Sequence, residues 1–393
     1  MFLPKYLLPS EQWRYWRERN VHLPRRIKKM AATNASLNDA DLKSYLKTHF
    51  CTKPFDTMET LDQGSVNICC PDWLPTPIGG IDDLPGAWSG TTVKKIRRSI
   101  VDGDFKYCSH LDCSFISGRK LLPRDSGPAQ ALIERFEADG SAPPPRELKL
   151  SHDRSCNLSC PSCRTEIIAV GKPKQKRLDD QLESSFVPML RDATSVYITG
   201  SGDPFGSAHF RRLIKRLNRA EFPKLRFRLH TNGQLLDERA WRDLDLAGRV
   251  EMVHVSVDAT TPETYAVLRR GGTFARLLKN LAFVKELRDA GEIERLEFSM
   301  VVQALNFREM PDFVRLGIAH SADDIAFEMI HDWGVYSPEE FEQVYVGPRH
   351  PEVARLAEVL RDPAMAHPNV SIGNVVAHIA QEARGPRRVP EAV

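Results

Sequence analysis

Cys156-Asn157-Leu158-Ser159-Cys160-Pro161-Ser162-Cys163 sets three thiols on one short stretch, directly after Leu148–Ser151, an alternating run that reads as a strand. Three thiolates on one loop suffice to hold three irons of a cubane cluster. The fourth iron is then left open to a substrate or cosubstrate. A zinc knuckle fits the same spacing but needs a fourth ligand, for which His152 is the close donor. Beyond the loop, strands are expected at Ser195–Thr199, Leu225–Thr231, Val250–Val257, Leu296–Val302 and Ile325–Ile330. Amphipathic helices separate them, marked by Leu178, Leu182, Phe186 and Leu190, by Phe210, Leu213, Ile214 and Leu217, and by Phe274, Leu277, Leu278, Leu281 and Val284. Pro188 should kink the first. Such alternation is the pattern of a parallel α/β sheet or barrel. Six strand-helix units fall short of eight, so a partial (β/α)6 barrel of the TIM type is expected, with chemistry at the C-terminal strand ends.

Strand phase predicts which residues face the lumen. Val253, Val255 and Val257 share one face of the fourth strand, and His254, Ser256 and Asp258 share the other. The same alternation turns Ser299, Val301 and Gln303 inward from the fifth strand, and Ala326, Glu328 and Ile330 from the sixth. Glu328 and His331, at the end of the sixth strand, are candidates for substrate contact or proton transfer.

At 393 residues the chain exceeds the usual size of a single core. Its 55 Lys+Arg and 52 Asp+Glu leave a net charge of +3, too small for an obligate nucleic-acid coat. No run approaches the about 18 apolar residues of a membrane span. The apolar start is interrupted by Pro4, Lys5 and Pro9, unlike a secretory signal, so a cytoplasmic location is expected, where disulfides are rare. The 8 cysteines therefore read as metal ligands or catalytic groups.

Five domains are expected: a basic arm over 1–45, a small cysteine-bearing α+β module over 46–120, a linker over 121–146, the barrel over 147–335, and a helical segment and tail over 336–393. In the arm, Trp13, Tyr15 and Trp16 lie among Lys5, Arg14, Arg17, Arg19, Arg25, Arg26, Lys28 and Lys29. In the module, Thr57–Leu61 and Ser65–Cys70 flank a turn at Asp62-Gln63-Gly64, with Gly64 at the position needing positive φ. Val93, Ile96 and Ile100 mark one face of a helix over Thr91–Val101, stopped by Gly103. Residues 385–393 are expected to be a disordered tail.

The cysteine loop and the strand ends after it resemble the radical S-adenosylmethionine (radical SAM) superfamily. Gly200-Ser201-Gly202-Asp203-Pro204 looks like the family's Gly-rich motif for the methionine amino group, with Asp203 where Glu is commoner. Thr231-Asn232-Gly233, Ser256-x-Asp258, Gln303 and Asn306 occupy further family-like cosubstrate positions, and Arg270-Gly271-Gly272-Thr273-Phe274 resembles a recurrent helix opening. Ser162 departs from the usual aromatic residue before the third cysteine. The resemblance implies that Cys156, Cys160 and Cys163 carry a catalytic 4Fe-4S cluster, which binds S-adenosylmethionine and delivers an electron to it. Methionine and a 5′-deoxyadenosyl radical result, and the radical takes hydrogen from a substrate. An electron donor such as flavodoxin or ferredoxin is also implied.

The earlier cysteines resemble the SPASM or shorter twitch auxiliary-cluster modules. The matching features are Cys51-x-x-Pro54-Phe55, Gly64 ahead of Cys69, Ile78-Gly79-Gly80, and Ile96–Gly103 leading into Cys108 and Cys113. That likeness implies a second 4Fe-4S cluster on Cys51, Cys69, Cys108 and Cys113, with Cys70 spare or a substitute for Cys69. A four-cysteine zinc site fits the same spacing. Here the module precedes the barrel, whereas in most relatives it follows. The expected activity is oxidation or epimerisation of a small polar metabolite or sugar-like substrate. The alternatives are a peptide or protein maturase, a tRNA-modifying enzyme suggested by the basic arm, and a zinc-organised binding protein.

Overall fold

The computed structural model describes residues 18–37 and 39–376. Most of the aromatic and basic start of the arm, and the 385–393 tail, lie outside them. The chain divides into two compact units, one comprising Met1–His152, Lys176–Tyr197 and Arg219–Leu225, the other Asp153–Gln175, Ile198–Asn218 and Arg226–Val393. Among the described residues no helix is long and apolar enough to cross a membrane.

The first unit opens with helices Leu23–Ser36 and Ala40–Thr48, the second of which crosses the boundary expected at 45/46. Asn34 ties this segment down, its Nδ2 donating to the Cys108 carbonyl at 2.8 Å and its Oδ1 accepting from His110 N at 3.0 Å. Five strands follow: β1 (His49–Phe50), β2 (Thr57–Thr60), β3 (Ser65–Asn67), β4 (Gly79–Gly80) and β5 (Leu122–Pro123), with β1 antiparallel to β5. β2 and β3 form the expected hairpin, pairing Thr60 with Val66. Gly64 sits in its turn at φ +81°, a conformation that side chains with a Cβ resist. Helix Thr91–Val101 forms where expected and buries Val93, Ile96 and Ile100 completely.

Two further features organise this unit. Residues 121–146, expected as a linker around a short helical stretch at Leu132 and Phe136, hold β5 and helix Gly127–Asp139, whose Phe136 packs edge-on against Phe55. The boundary expected at 146/147 also falls inside a sheet, because β6 (Glu147–Leu150) pairs in parallel with β2 from Thr57↔Glu147 to Thr60↔Leu150. The hairpin leaves one edge of β2 unpaired, and a strand of matching length satisfies those groups.

Arg97 anchors this unit. Its Nε and Nη1 donate to the carbonyls of Pro54 and Trp88 at 2.9 Å, and its guanidinium lies over the Trp88 ring at 4.2 Å. Among the described residues, Nη2 is buried without a hydrogen-bond partner, and burial pulls the group's pKa down to about 9. Arg97→Ala strands two carbonyls and opens a cavity, with an expected cost of about 3 kcal/mol. Thermal unfolding of the anaerobic protein should show a lowered midpoint.

The chain passes through β7 (Ser195–Ile198) before the parallel sheet of the second unit, ordered β8 (Arg226–Thr231), β9 (Val250–Ser256), β10 (Ile293–Val302), β11 (Asp324–Met329), β12 (Val370–Ser371). Helices Ala208–Arg216, Glu238–Asp243, Pro262–Leu268, Phe274–Asp289 and Met310–Ala319 alternate with these strands. The helix before β7 runs over Lys172–Gln181 and widens into a π-turn at Leu182–Phe186, upstream of Pro188, where the kink was expected. β12 comes from the segment expected to be helical. It pairs Val370 with Ile325 along the otherwise open edge of β11, while helices Pro338–Val344 and Val353–Val359 occupy the chain before it.

The phase of β9 follows the alternation, with Val253, Val255 and Val257 buried and His254 and Ser256 half-buried. On β10, Ser299 and Val301 are half-buried as expected, but Gln303 lies past the strand end and is buried. On β11, Ala326 is half-buried and Glu328 exposed, while Ile330 lies past the strand and is buried.

Candidate functional site

The loop after β6 is held mainly by backbone and hydroxyl contacts that do not use its thiols. Ser155 N donates to Asp153 Oδ1 at 2.8 Å, and Cys156 N to the Ile168 carbonyl at 2.9 Å. Ser159 N donates to the Arg270 carbonyl at 2.9 Å, and Arg270 Nε to Ser159 Oγ at 3.1 Å. The amides of Cys163 and Arg164 both turn back to the Cys160 carbonyl at 2.9 Å. Burial pushes the Cys156 thiol up to about 11 and raises Cys160 as well, so both stay protonated at neutral pH until a metal displaces the proton.

Asp203 is the hub of the second loop. Its Oδ1 accepts from Phe205 N and Gly206 N at 3.0 Å, and its Oδ2 from Thr231 Oγ1 at 2.7 Å and Asn232 N at 2.9 Å. The carboxylate is fully buried, so Asp203 positions the β7 and β8 ends. Four protein donors thus meet the carboxylate expected to lie at the cosubstrate. Exposed Gly200 and half-buried Ser201 and Gly202 are the accessible part of that motif. Ser201 N and Gly202 N donate to Thr199 Oγ1 at 3.1 and 3.3 Å. A Cβ on Gly202 would lie 2.6 Å from the carbonyls of Asp153 and Ser155, so the cysteine loop and this loop touch backbone to backbone.

Asn232 joins the two loops, its Nδ2 donating to Asn157 Oδ1 at 3.0 Å and reaching Cys156 Sγ at 3.6 Å. From the next strand ends, Asp258 adopts φ +65° and accepts from Val301 N and from Arg269 Nη2, both at 2.8 Å. Arg269 Nη1 points at Cys160 Sγ, 3.8 Å away. Asn306 is a buried brace, donating to the carbonyls of Asp258 and Val301 at 2.9 Å and accepting from Gln303 N at 2.8 Å. Ser256 pairs with His230 Nε2 at 2.8 Å. Glu328 and His331 are exposed, His331 edge-on to Trp333. Neither belongs to the hydrogen-bonded set around Cys156, Asp203 and Asn232.

The sequence model of the radical SAM superfamily matches residues 150–317. This stretch is a radical SAM domain. It carries the three-cysteine loop, the Asp203 hub, Asn232, Asp258 and Asn306 together. A GTP 3′,8-cyclase of Peptoclostridium acidaminophilum is 28% identical over 181 residues, covering 45% of this chain and 53% of that protein. A GTP 3′,8-cyclase of Caulobacter vibrioides is 30% identical over 173 residues, covering 41% and 48%. The chain thus spans about half the length of the curated relatives it matches. Among solved structures, Streptococcus suis SuiB aligns with a TM-score of 0.41 at 15% identity, covering 64% of this chain and 56% of that one.

The family implies a 4Fe-4S cluster and S-adenosylmethionine, and the donor set of the radical SAM domain suits them. Its three thiols stand on one loop, with Asn232 near Cys156 Sγ, Arg164 near Cys163 Sγ and Arg269 near Cys160 Sγ. His152, the fourth donor a zinc knuckle would need, is engaged with Thr60 Oγ1 at 2.8 Å. Several site residues had no signal in spacing alone. Arg164 merely follows the third cysteine and Arg269 merely precedes the Gly-Gly pair. His230 stacks on His254 at 3.9 Å, and His254 Nε2 meets Ser299 Oγ at 2.7 Å. Burial takes the His230 pKa down to about 4 and lowers that of His254 too, so both rings are neutral at pH 7.

In the first unit, Cys51, Cys69, Cys108 and Cys113 line a single cavity walled by Trp73, Phe105 and Phe115, and Cys70 is not part of its lining. Burial pushes Cys51 up to about 12 and also raises Cys69 and Cys108, with the neighbouring cysteines adding to each shift. Among the described residues, no three His, Cys, Asp or Glu side chains are placed to hold one metal ion together.

Proposed function

We propose that the protein reductively cleaves S-adenosylmethionine and uses the resulting radical to take hydrogen from a small polar metabolite or sugar-like substrate, oxidising or epimerising it. When bound and reduced, the catalytic cluster supplies the electron that splits the cosubstrate into methionine and a 5′-deoxyadenosyl radical. The observation that carries the cleavage step of this reading is the bonding of the three-cysteine loop to Asn232 and Arg269, which come from the ends of β8 and the helix after β9. Gly200, Ser201 and Gly202 offer backbone groups to the cosubstrate, Ser256 its hydroxyl, and Asp203, Asp258, Gln303 and Asn306 hold these strand ends in place. Half-buried His254 and Ser299, with Glu328 further along the sheet, offer polar groups to a substrate. A flavodoxin or ferredoxin in the cytoplasm is the electron donor this reading requires.

We assign the four-cysteine cavity of the first unit to an auxiliary 4Fe-4S cluster of the SPASM or twitch kind on Cys51, Cys69, Cys108 and Cys113. Four cysteines on one cavity suffice for the four irons of a cubane, and they would equally satisfy one tetrahedral zinc, so metal content decides between them. Anaerobic reconstitution should give a brown protein with about eight irons and eight sulfides. Cys108→Ala should lower this to about four while S-adenosylmethionine cleavage persists. An unaltered iron count would remove Cys108 from the ligand set, and a colourless, zinc-loaded protein would sink the radical mechanism.

The names of the curated relatives favour one second reading, a purine nucleotide as substrate. GTP added to the cleavage assay separates the two, because stimulated release of 5′-deoxyadenosine would move the substrate to that class. Anaerobic metabolite profiling with and without the gene tests the first reading through a compound changed by two hydrogens or in configuration.

A further inference from the structure

We propose that Arg164 sets the reduction potential of the cluster on Cys156, Cys160 and Cys163, as a buried positive charge held against the third thiolate. The inference rests on the iron–sulfur reading above. Arg164 is 6% exposed. Its Nη2 and Nε lie 3.2 and 3.4 Å from Cys163 Sγ. Its Nη1 donates to the Arg154 carbonyl at 2.8 Å and its Nη2 to the Ser201 carbonyl at 2.7 Å. The two carbonyls fix the guanidinium between the cysteine loop and the Gly200–Asp203 loop but do not neutralise it.

Arg269 provides the contrast. It also approaches a ligand sulfur, Cys160, but its charge is met by Asp258 at 2.8 Å. Among the described residues no carboxylate pairs with Arg164. Its counter-charge is therefore the thiolate cluster itself. Three thiolates outweigh the charge of an oxidised cubane core, and reduction adds one further negative charge. A fixed cation at hydrogen-bond distance in a poorly solvated site stabilises the reduced state more than the oxidised one, and hydrogen bonds to cluster sulfur act in the same direction. A residue that served only to brace two loops would leave the potential unmoved.

The test is a redox titration of the full-length, anaerobically reconstituted protein, following the paramagnetic resonance signal that changes when S-adenosylmethionine is added. Arg164→Gln retains donors for the carbonyls and loses the charge. Its midpoint should move to more negative potential at unchanged iron content, with Arg164→Lys falling between it and the native protein. A native midpoint in a fully loaded Gln variant would overturn the proposal. Should the Gln variant fail to hold iron, the Lys variant decides. Loaded with iron, the Lys variant should keep a midpoint close to native because the charge remains, and a midpoint displaced strongly to negative potential there would show that side-chain shape rather than charge sets the potential and overturn the claim. A native protein with no signal responsive to S-adenosylmethionine would instead sink the functional reading.

Discussion

Cys156→Ala, Cys160→Ala and Cys163→Ala, each reconstituted anaerobically and given dithionite, should release no detectable 5′-deoxyadenosine from S-adenosylmethionine. Each removes one of the three protein ligands of the proposed cluster, and two thiolates leave more than one iron without protein support. The loop itself should survive. Its backbone is fixed by Ser155–Asp153, Ser159–Arg270 and Cys156–Ile168 bonds that do not involve sulfur. Unfolding midpoints of the metal-free proteins should therefore stay near native, which separates loss of chemistry from loss of fold. Unchanged release by any of the three would refute its assignment as a ligand.

Asp203→Asn carries the second largest expected effect. The native carboxylate accepts four hydrogen bonds, two of them on Oδ2 from Thr231 Oγ1 and Asn232 N. An amide presents at most one oxygen to four donors, so its NH2 must oppose two of them. Thr231 can rotate its hydroxyl, but the amide of Asn232 cannot turn away. Leaving buried donors unmet costs about 1–3 kcal/mol each, and relief requires Asn232 to move away from Cys156 and Asn157. Displacement of a positioning group by about 1 Å can cost on the order of 100-fold in rate, so cleavage should fall by about that factor while iron content stays near native. Asp203→Glu should not rescue it, because the extra methylene has no room in a fully buried site. Native cleavage rates in Asp203→Asn would show that the hub does not position the site.

The parts of the fold written in local pattern were legible in the sequence. The Gly64 turn, the Val93–Ile96–Ile100 helix face and the Val253–Val255–Val257 alternation each depend on neighbours within a turn of helix or a few residues of strand. What spacing could not reveal depends on partners far along the chain. The β2–β6 pairing joins residues about ninety positions apart, and β12 completes a sheet edge from a stretch with only Val370 to mark it. The site divides the same way. The cysteines announce themselves by spacing, whereas the saturation of Asp203 appears only when β8 delivers Thr231 and Asn232 to it. Arg164 becomes distinctive only beside Cys163 Sγ and the Ser201 carbonyl. Family resemblance indicated that an acidic residue belongs in the Gly-rich loop, and geometry shows it bonded wholly to the protein.

The central claim is that the three-cysteine loop supports reductive cleavage of S-adenosylmethionine. The most direct measurement incubates the native, iron-loaded protein anaerobically with dithionite and S-adenosylmethionine and quantifies both products by chromatography. Methionine and 5′-deoxyadenosine should accumulate together in equal amounts. Intact S-adenosylmethionine after incubation with a fully iron-loaded, reduced protein would contradict the account.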